Sequence, residues 1–263
     1  IPLATYSLAG KDTAKWINRT LRNIGEEPVI YDVNQAHQSQ SDLLAAMHNM
    51  GYMHASVQLD TRTKGKKITA AYTITPGQAY FIDNVHYIID DDSIANLLKI
   101  EQPNSKFHIA KGTKFSVDKL DNIRKRISDY LLNSGFYRFN KDFIQFTVDS
   151  AANSQLLDVT LHLYPYRAYN DAPAVFHPRY KVGRIDYHTD NANGYLRRKI
   201  MLNNTALVKN DFFSEQKLQR TYNNFAKLGA VRYTNIQFEE VPDSQVLNTL
   251  IELTMNKPSS VSF

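Results

Sequence analysis

The chain has 263 residues, 43% hydrophobic and 22% charged, a globular composition rather than that of a disordered segment. It contains no cysteine, which excludes disulfides, thiol catalysis and cysteine-based zinc sites. The net charge of +5 is modest and falls in short basic runs (Lys64–Lys67, Arg124–Arg126, Arg197–Lys199). These read as a hairpin turn and two solvated helix faces, not as a nucleic-acid-binding stripe.

The opening stretch IPLATYSLAG lacks the charged-then-apolar layout of a secretory leader, and no apolar run approaches the ~18 residues of a membrane helix. DTAKWINRTLRNIG reads as a helix with Trp16, Ile17, Leu21 and Ile24 along one side and Gly25 as its stop. A second helix is expected from the N-cap Ser39, with Leu43, Met47 and Met50 at helical spacing and Gly51 as its end. Then come an alternating strand, Ala55–Asp60, with Val57 and Leu59 on one side, a TRTKGKK turn and a return strand, KITAAYTIT.

After a Pro-Gly joint at Ile74–Tyr80, the pattern recurs in fuller form. A strand (YFIDNVHYII) leads to a short helix (SIANLLKI) capped by the turn Asp90–Asp92. A longer helix starts at Ser116, buries Leu120, Ile123, Ile127 and Tyr130, and stops at Gly135. The next strand sets Ile144, Phe146 and Val148 on one face, and its return strand carries Leu157, Val159, Leu161 and Leu163. The segment Tyr166–Tyr180 contains Pro173 and Pro178 and predicts an extended, semi-stiff link. A third copy follows: strand YKVGRIDYHT, short helix YLRRKIMLNN, a helix capped by Ser214 and stopped by Gly229, a strand with Ile236 and Phe238, and the return strand LNTLIELTM. Where the second copy has Gly112, the third has Asn210, so that loop is expected to differ.

The fold class is α+β, a tandem of β-α-α-β-β units. Two helices and three strands share one core only if both helices lie on one face of a mixed sheet. The last two strands form a hairpin, and the opening strand pairs in parallel beside the last one through a right-handed crossover. The strand after each glycine is thereby left at an edge with unpaired backbone groups. The units fall at 1–78, lacking an obvious opening strand and so expected to be N-terminally truncated, at 79–168 and at 179–258.

Reactive constellations are missing from this pattern. The eight histidines never stand at metal-ligand spacing, and no nucleophile elbow, P-loop or dinucleotide fingerprint occurs, so neither a cofactor nor enzymatic activity is expected. Scattered tyrosines read as packing rather than sugar-binding residues. The functional expectation rests instead on the edges, where an extended peptide can add itself as a strand. The edge residues are Val57 and Leu59, then Ile144, Phe146 and Val148, then Ile236 and Phe238. The opposing reading is that neighbouring units or charges such as Lys141, Glu239 and Glu240 blunt them.

The Gly-aromatic stops MGYM and SGFY, the opening strand YKVGRI and the element order resemble POTRA domains of the BamA/TamA outer-membrane assembly family. KWINRTLRNIGEEPVIYD with YTITPGQAYFI resembles its TamA-like (TamL) branch. The resemblance implies a periplasmic, outer-membrane-attached arm that handles unfolded outer-membrane protein clients and docks a TamB-type partner. It also implies a C-terminal transmembrane barrel, to which 259–263 would be the lead-in. A POTRA-type secretion or division scaffold without a barrel is the alternative.

Overall fold

The computed structural model describes residues 8, 15–24, 30–150, 154–169, 171–190 and 196–256. The chain divides into two compact units, Ile1–Gln78 and Ala79–Phe263. In the first, helices α1 (Trp16–Ile24) and α2 (Val33–Asn49) precede a hairpin of β1 (Ser56–Lys64) and β2 (Lys67–Thr75). Among the described residues its sheet has these two strands and no third. Trp16 and Ile17 are largely exposed, and Gly25 lies outside the described residues.

The larger unit holds two successive copies of one design. The second copy of the repeat runs β3 (Phe81–Ile89), α3 (Asp92–Leu98), α4 (Val117–Leu132), β4 (Ile144–Ser150) and β5 (Leu156–Leu163). The third runs β6 (Lys181–Thr189), α5 (Arg198–Asn204), α6 (Glu215–Ala226), β7 (Val231–Glu240) and β8 (Val246–Met255). The sheet orders are β3-β5-β4 and β6-β8-β7: the last strand is central, parallel to the opening strand and antiparallel to the strand before it. Alternation along β5 and β8 sends Leu157, Val159, Leu161 and Leu163, then Leu247, Ile251 and Leu253, into the two cores.

The two copies agree at the level of single hydrogen bonds. Ser116 and Ser214 cap α4 and α6 by accepting from the N–H groups of Lys119 and Lys217. The Ile82 N–H donates to the Thr113 carbonyl and the Gly112 N–H to the Ile82 carbonyl; Val182, Asp211 and Asn210 repeat both bonds. Asn210 reaches φ 69° and Gly112 φ 78°, so the expected difference in this loop is overturned. Asn is the side chain that tolerates the left-handed region best after Gly, and the same two bonds hold it there.

Three further expectations are corrected. Helix α2 begins two turns before Ser39, because Asp32 is extended and its carboxylate accepts from the N–H groups of Asn34 and Gln35. Ser39 sits inside that helix and donates to the Gln35 carbonyl. Gly51 (φ 85°) and Gly135 (φ 104°) are left-handed but Gly229 is not: α6 ends at Ala226 and the chain enters β7 through tight turns at Leu228 and Val231. Nor is Tyr166–Tyr180 an extended link. Tyr166 and Val175 exchange both backbone hydrogen bonds, closing the segment into a small hairpin.

Candidate functional site: strand edges and the joint between copies

Antiparallel pairing gives each edge strand a parity, since successive residues face the partner strand and the free side in turn. The Tyr164 N–H donates to the Phe143 carbonyl, so Phe143, Gln145 and Thr147 face β5. Ile144, Phe146 and Val148 therefore aim their N–H and C=O groups at the free edge. On β7 the Val241 N–H donates to Val246, which turns Ile236 and Phe238 outward. On β1 the two-residue turn between Lys64 and Lys67 does the same for Val57 and Leu59. All seven sequence-named residues thus lie on edge strands, with side chains toward the helices and backbone groups toward the open side.

The three edges are not equally open. On β1 the Val57 carbonyl accepts from Gln40 Nε2 at 2.6 Å. On β7 the Tyr222 hydroxyl occupies both outward groups of Ile236, accepting from its N–H at 3.1 Å and reaching its carbonyl at 3.5 Å. Phe238 packs its ring against Tyr137 and Phe213. On β4 the Ile144 N–H is used by the one-turn helix Lys141–Phe143. Among the described residues, no hydrogen bond reaches the outward groups of Phe146 and Val148.

Sequence reasoning missed two features. The opening strands β3 and β6 are edges as well, as any three-stranded sheet requires. Residues 112–115 and 210–213 cover only the start of each, and an open groove of about 810 Å³ flanks β3, lined by Asp83, His86, Ile88, Glu101, His108 and Lys111. The other feature is the joint between the second and third copies. Tyr137, Tyr180, Phe213 and Phe238 form an aromatic cluster with ring centroids 5.0–6.0 Å apart. The Tyr180 N–H donates to the Gly135 carbonyl at 2.7 Å. A Cβ on Gly135 would lie 3.0 Å from Arg179 and Phe212, so this close approach needs glycine.

Charge closes the joint. Glu240 accepts from Arg138 at 2.6 Å and from the Tyr180 hydroxyl at 2.8 Å. Burial pushes the Glu240 carboxyl up, but the Arg138 and Tyr180 bonds outweigh it and hold it below the usual range. The Tyr180 hydroxyl is pushed up to about 12, first by burial and then by Glu240. Among the described residues no group of three His, Asp or Glu is placed to hold a metal, and no helix is long and apolar enough to cross a membrane.

No protein-family model matches the chain. No curated protein matches it either. Solved structures do resemble it. POTRA domains 3–5 of BamA from Haemophilus influenzae align over 87% of this chain and 84% of that one, at 12% identity and a TM-score of 0.46. BamA from Haemophilus ducreyi lacking POTRA domains 1–3 aligns over 67% of this chain and 30% of that one, at 12% identity and a TM-score of 0.49. POTRA domains 1–3 of the periplasmic domain of Omp85 from Anabaena align over 84% and 82%, at 10% identity and a TM-score of 0.33. At such identities and scores each is a distant likeness.

Proposed function

We propose that this chain is a non-enzymatic periplasmic arm of three POTRA-like copies, at 1–78, 79–168 and 179–258, that receives extended client polypeptides as added strands. One observation carries the reading: among the described residues, the β4 edge offers the outward backbone of Phe146 and Val148 with no bond from the fold. A strand laid there gains main-chain hydrogen bonds whatever its sequence, while Phe146 and Val148 add an apolar rim. Unfolded outer-membrane barrel segments, which alternate in polarity, suit such a site. The proposed docking order is β4 first, then Leu59 of β1, with Ile236 of β7 closed by Tyr222. A TamB-type partner and a membrane barrel belong to the same reading, through the sequence resemblance of the KWINRTLRNIGEEPVIYD segment; residues 259–263, named there as a lead-in, lie outside the described residues.

The test is site-specific photocrosslinking to an unfolded outer-membrane barrel polypeptide held in dilute urea. Gln145 on β4 and Gln237 on β7 are both exposed and take the photoreactive residue. Capture from position 145 well above position 237 supports the assignment. Equal capture from both, or none from either, removes it.

A further inference from the structure

The hairpin connector carries one histidine, His177, that the docking reading does not use. It is only 5% exposed, and its ring lies 4.7 Å from Phe143, 4.9 Å from Phe139 and 6.0 Å from Tyr166, centroid to centroid. Nε2 is 2.9 Å from the Tyr164 carbonyl, which can only accept, so Nε2 carries the proton. Nδ1 is then a bare acceptor, fully buried, with no hydrogen-bond partner among the described residues. The backbone N–H of His177 donates to Asp91 Oδ2 at 3.1 Å, while Asp91 Oδ1 caps α3 through the N–H groups of Ser93 and Ile94. One residue thus ties the connector to the end of β5 and the aromatic segment before β4 through its ring, and to the start of α3 through its backbone N–H.

We propose that His177 is a proton-released latch: neutral, it seats the connector on the second copy, and protonated at Nδ1 it leaves its cage and loosens the joint to the third copy. A proton on Nδ1 would put a buried N–H and a positive charge against aromatic carbon with no acceptor to meet them. The groups facing the ring do not remedy this. From α3 comes the Asp91 carboxylate, whose attraction favours the charged ring but whose oxygens already serve backbone N–H groups. The connector contributes Tyr164 and Tyr166, and the segment before β4 contributes Phe139 and Phe143. Burial dominates over the Tyr164 bond and Asp91 and holds the imidazole below its ordinary value of 6.5. A depressed histidine contributes stability above its unfolded pKa and loses it as the pH falls through the folded one. The latch therefore opens on the acid side of about pH 6.5.

The consequence reaches the third copy because the connector ends at Arg179 and Tyr180. Arg179 Nε donates to the Ser134 carbonyl at 2.7 Å and its guanidinium stacks 3.6 Å over Phe212. Tyr180 belongs to the aromatic cluster and the Glu240 clasp. Freeing His177 removes the anchor immediately upstream of both.

The chain has no cysteine of its own, so paired spin labels at Lys125→Cys on α4 and Arg220→Cys on α6 report the joint directly. At pH 7.5 the interlabel distance should be narrow; at about pH 5 it should broaden, with at least tenfold faster hydrogen exchange, corrected for intrinsic pH dependence, at the amides of Tyr166, Val175 and His177. His177→Phe fills the cage without a titrating nitrogen and should stay narrow at both pH values. A wild-type distance and exchange that do not change between the two, or a His177→Phe chain that loosens as the wild type does, overturns the latch. Should His177→Phe fail to fold, the imidazole titration of wild-type His177 by NMR decides. A midpoint below 6.5 in step with the loss of protection supports it, and an uncoupled midpoint rejects it.

Discussion

Proline substitution on β4 separates a free edge from a merely exposed strand. At Thr147, whose backbone faces β5 opposite Thr160, proline removes a ladder donor and leaves the facing carbonyl unmet. Losing the bond costs about 0.5–1.5 kcal/mol and the orphaned carbonyl about 1–3 kcal/mol, so Thr147→Pro should destabilise by about 2–4 kcal/mol. At Val148 the N–H points away from the sheet and no described residue loses a partner. Val148 is 37% exposed and the residue before it is already extended, so Val148→Pro should cost about 1 kcal/mol or less. Yet the same change removes one donor from an incoming strand and sets a ring in its path, a loss of about tenfold or more in affinity. Urea denaturation supplies the stabilities and fluorescence anisotropy with an alternating ten-residue peptide supplies the affinities. Equal destabilisation by the two prolines would refute the parity, and unchanged peptide binding by Val148→Pro would refute the edge.

Other outcomes follow from the same geometry. Tyr222→Phe removes the hydroxyl over Ile236; stability should fall by about 1 kcal/mol, and crosslinking from Gln237 should rise. Gly112→Ala should cost about 1–2 kcal/mol by thermal denaturation from left-handed strain alone, since no heavy atom lies within 4 Å of the added Cβ. Glu240→Gln weakens the Arg138 and Tyr180 clasp, which is partly exposed, so the change should stay within about 1 kcal/mol at pH 7. The wild-type clasp is held by a depressed carboxyl, so its contribution is present above about pH 4.5 and fades in stronger acid, a step Glu240→Gln should lack in a stability–pH profile. Tyr137→Ala opens the aromatic cluster and should split one melting transition of the larger unit into two.

Much of the topology was legible in the sequence because it rests on local rules. Ser116 and Ser214 announce their helices, alternation marks β4, β5, β7 and β8, and burying two helices on one sheet face leaves few strand orders. Where the sequence misled, a competing local group had won: Asp32 caps α2 ahead of Ser39, and Asn210 takes the turn Gly112 takes. The closure of two edges was not legible, because Gln40 is 17 residues from Val57 and Tyr222 is 14 from Ile236, and nothing in periodicity says where a side-chain tip ends. The connector misled for the same reason. Pro173 and Pro178 suggest extension, whereas Tyr166 pairs with Val175 and His177 meets Asp91, 86 residues away.

The central claim, that backbone at an unbonded rim is what this protein presents to its clients, is tested most directly by residue-resolved hydrogen exchange of the intact chain with and without an alternating peptide. The amides of Phe146 and Val148 should gain protection while that of Thr147, already bonded to β5, stays as it was. Protection gained on the helices instead, or at no strand edge, would contradict it.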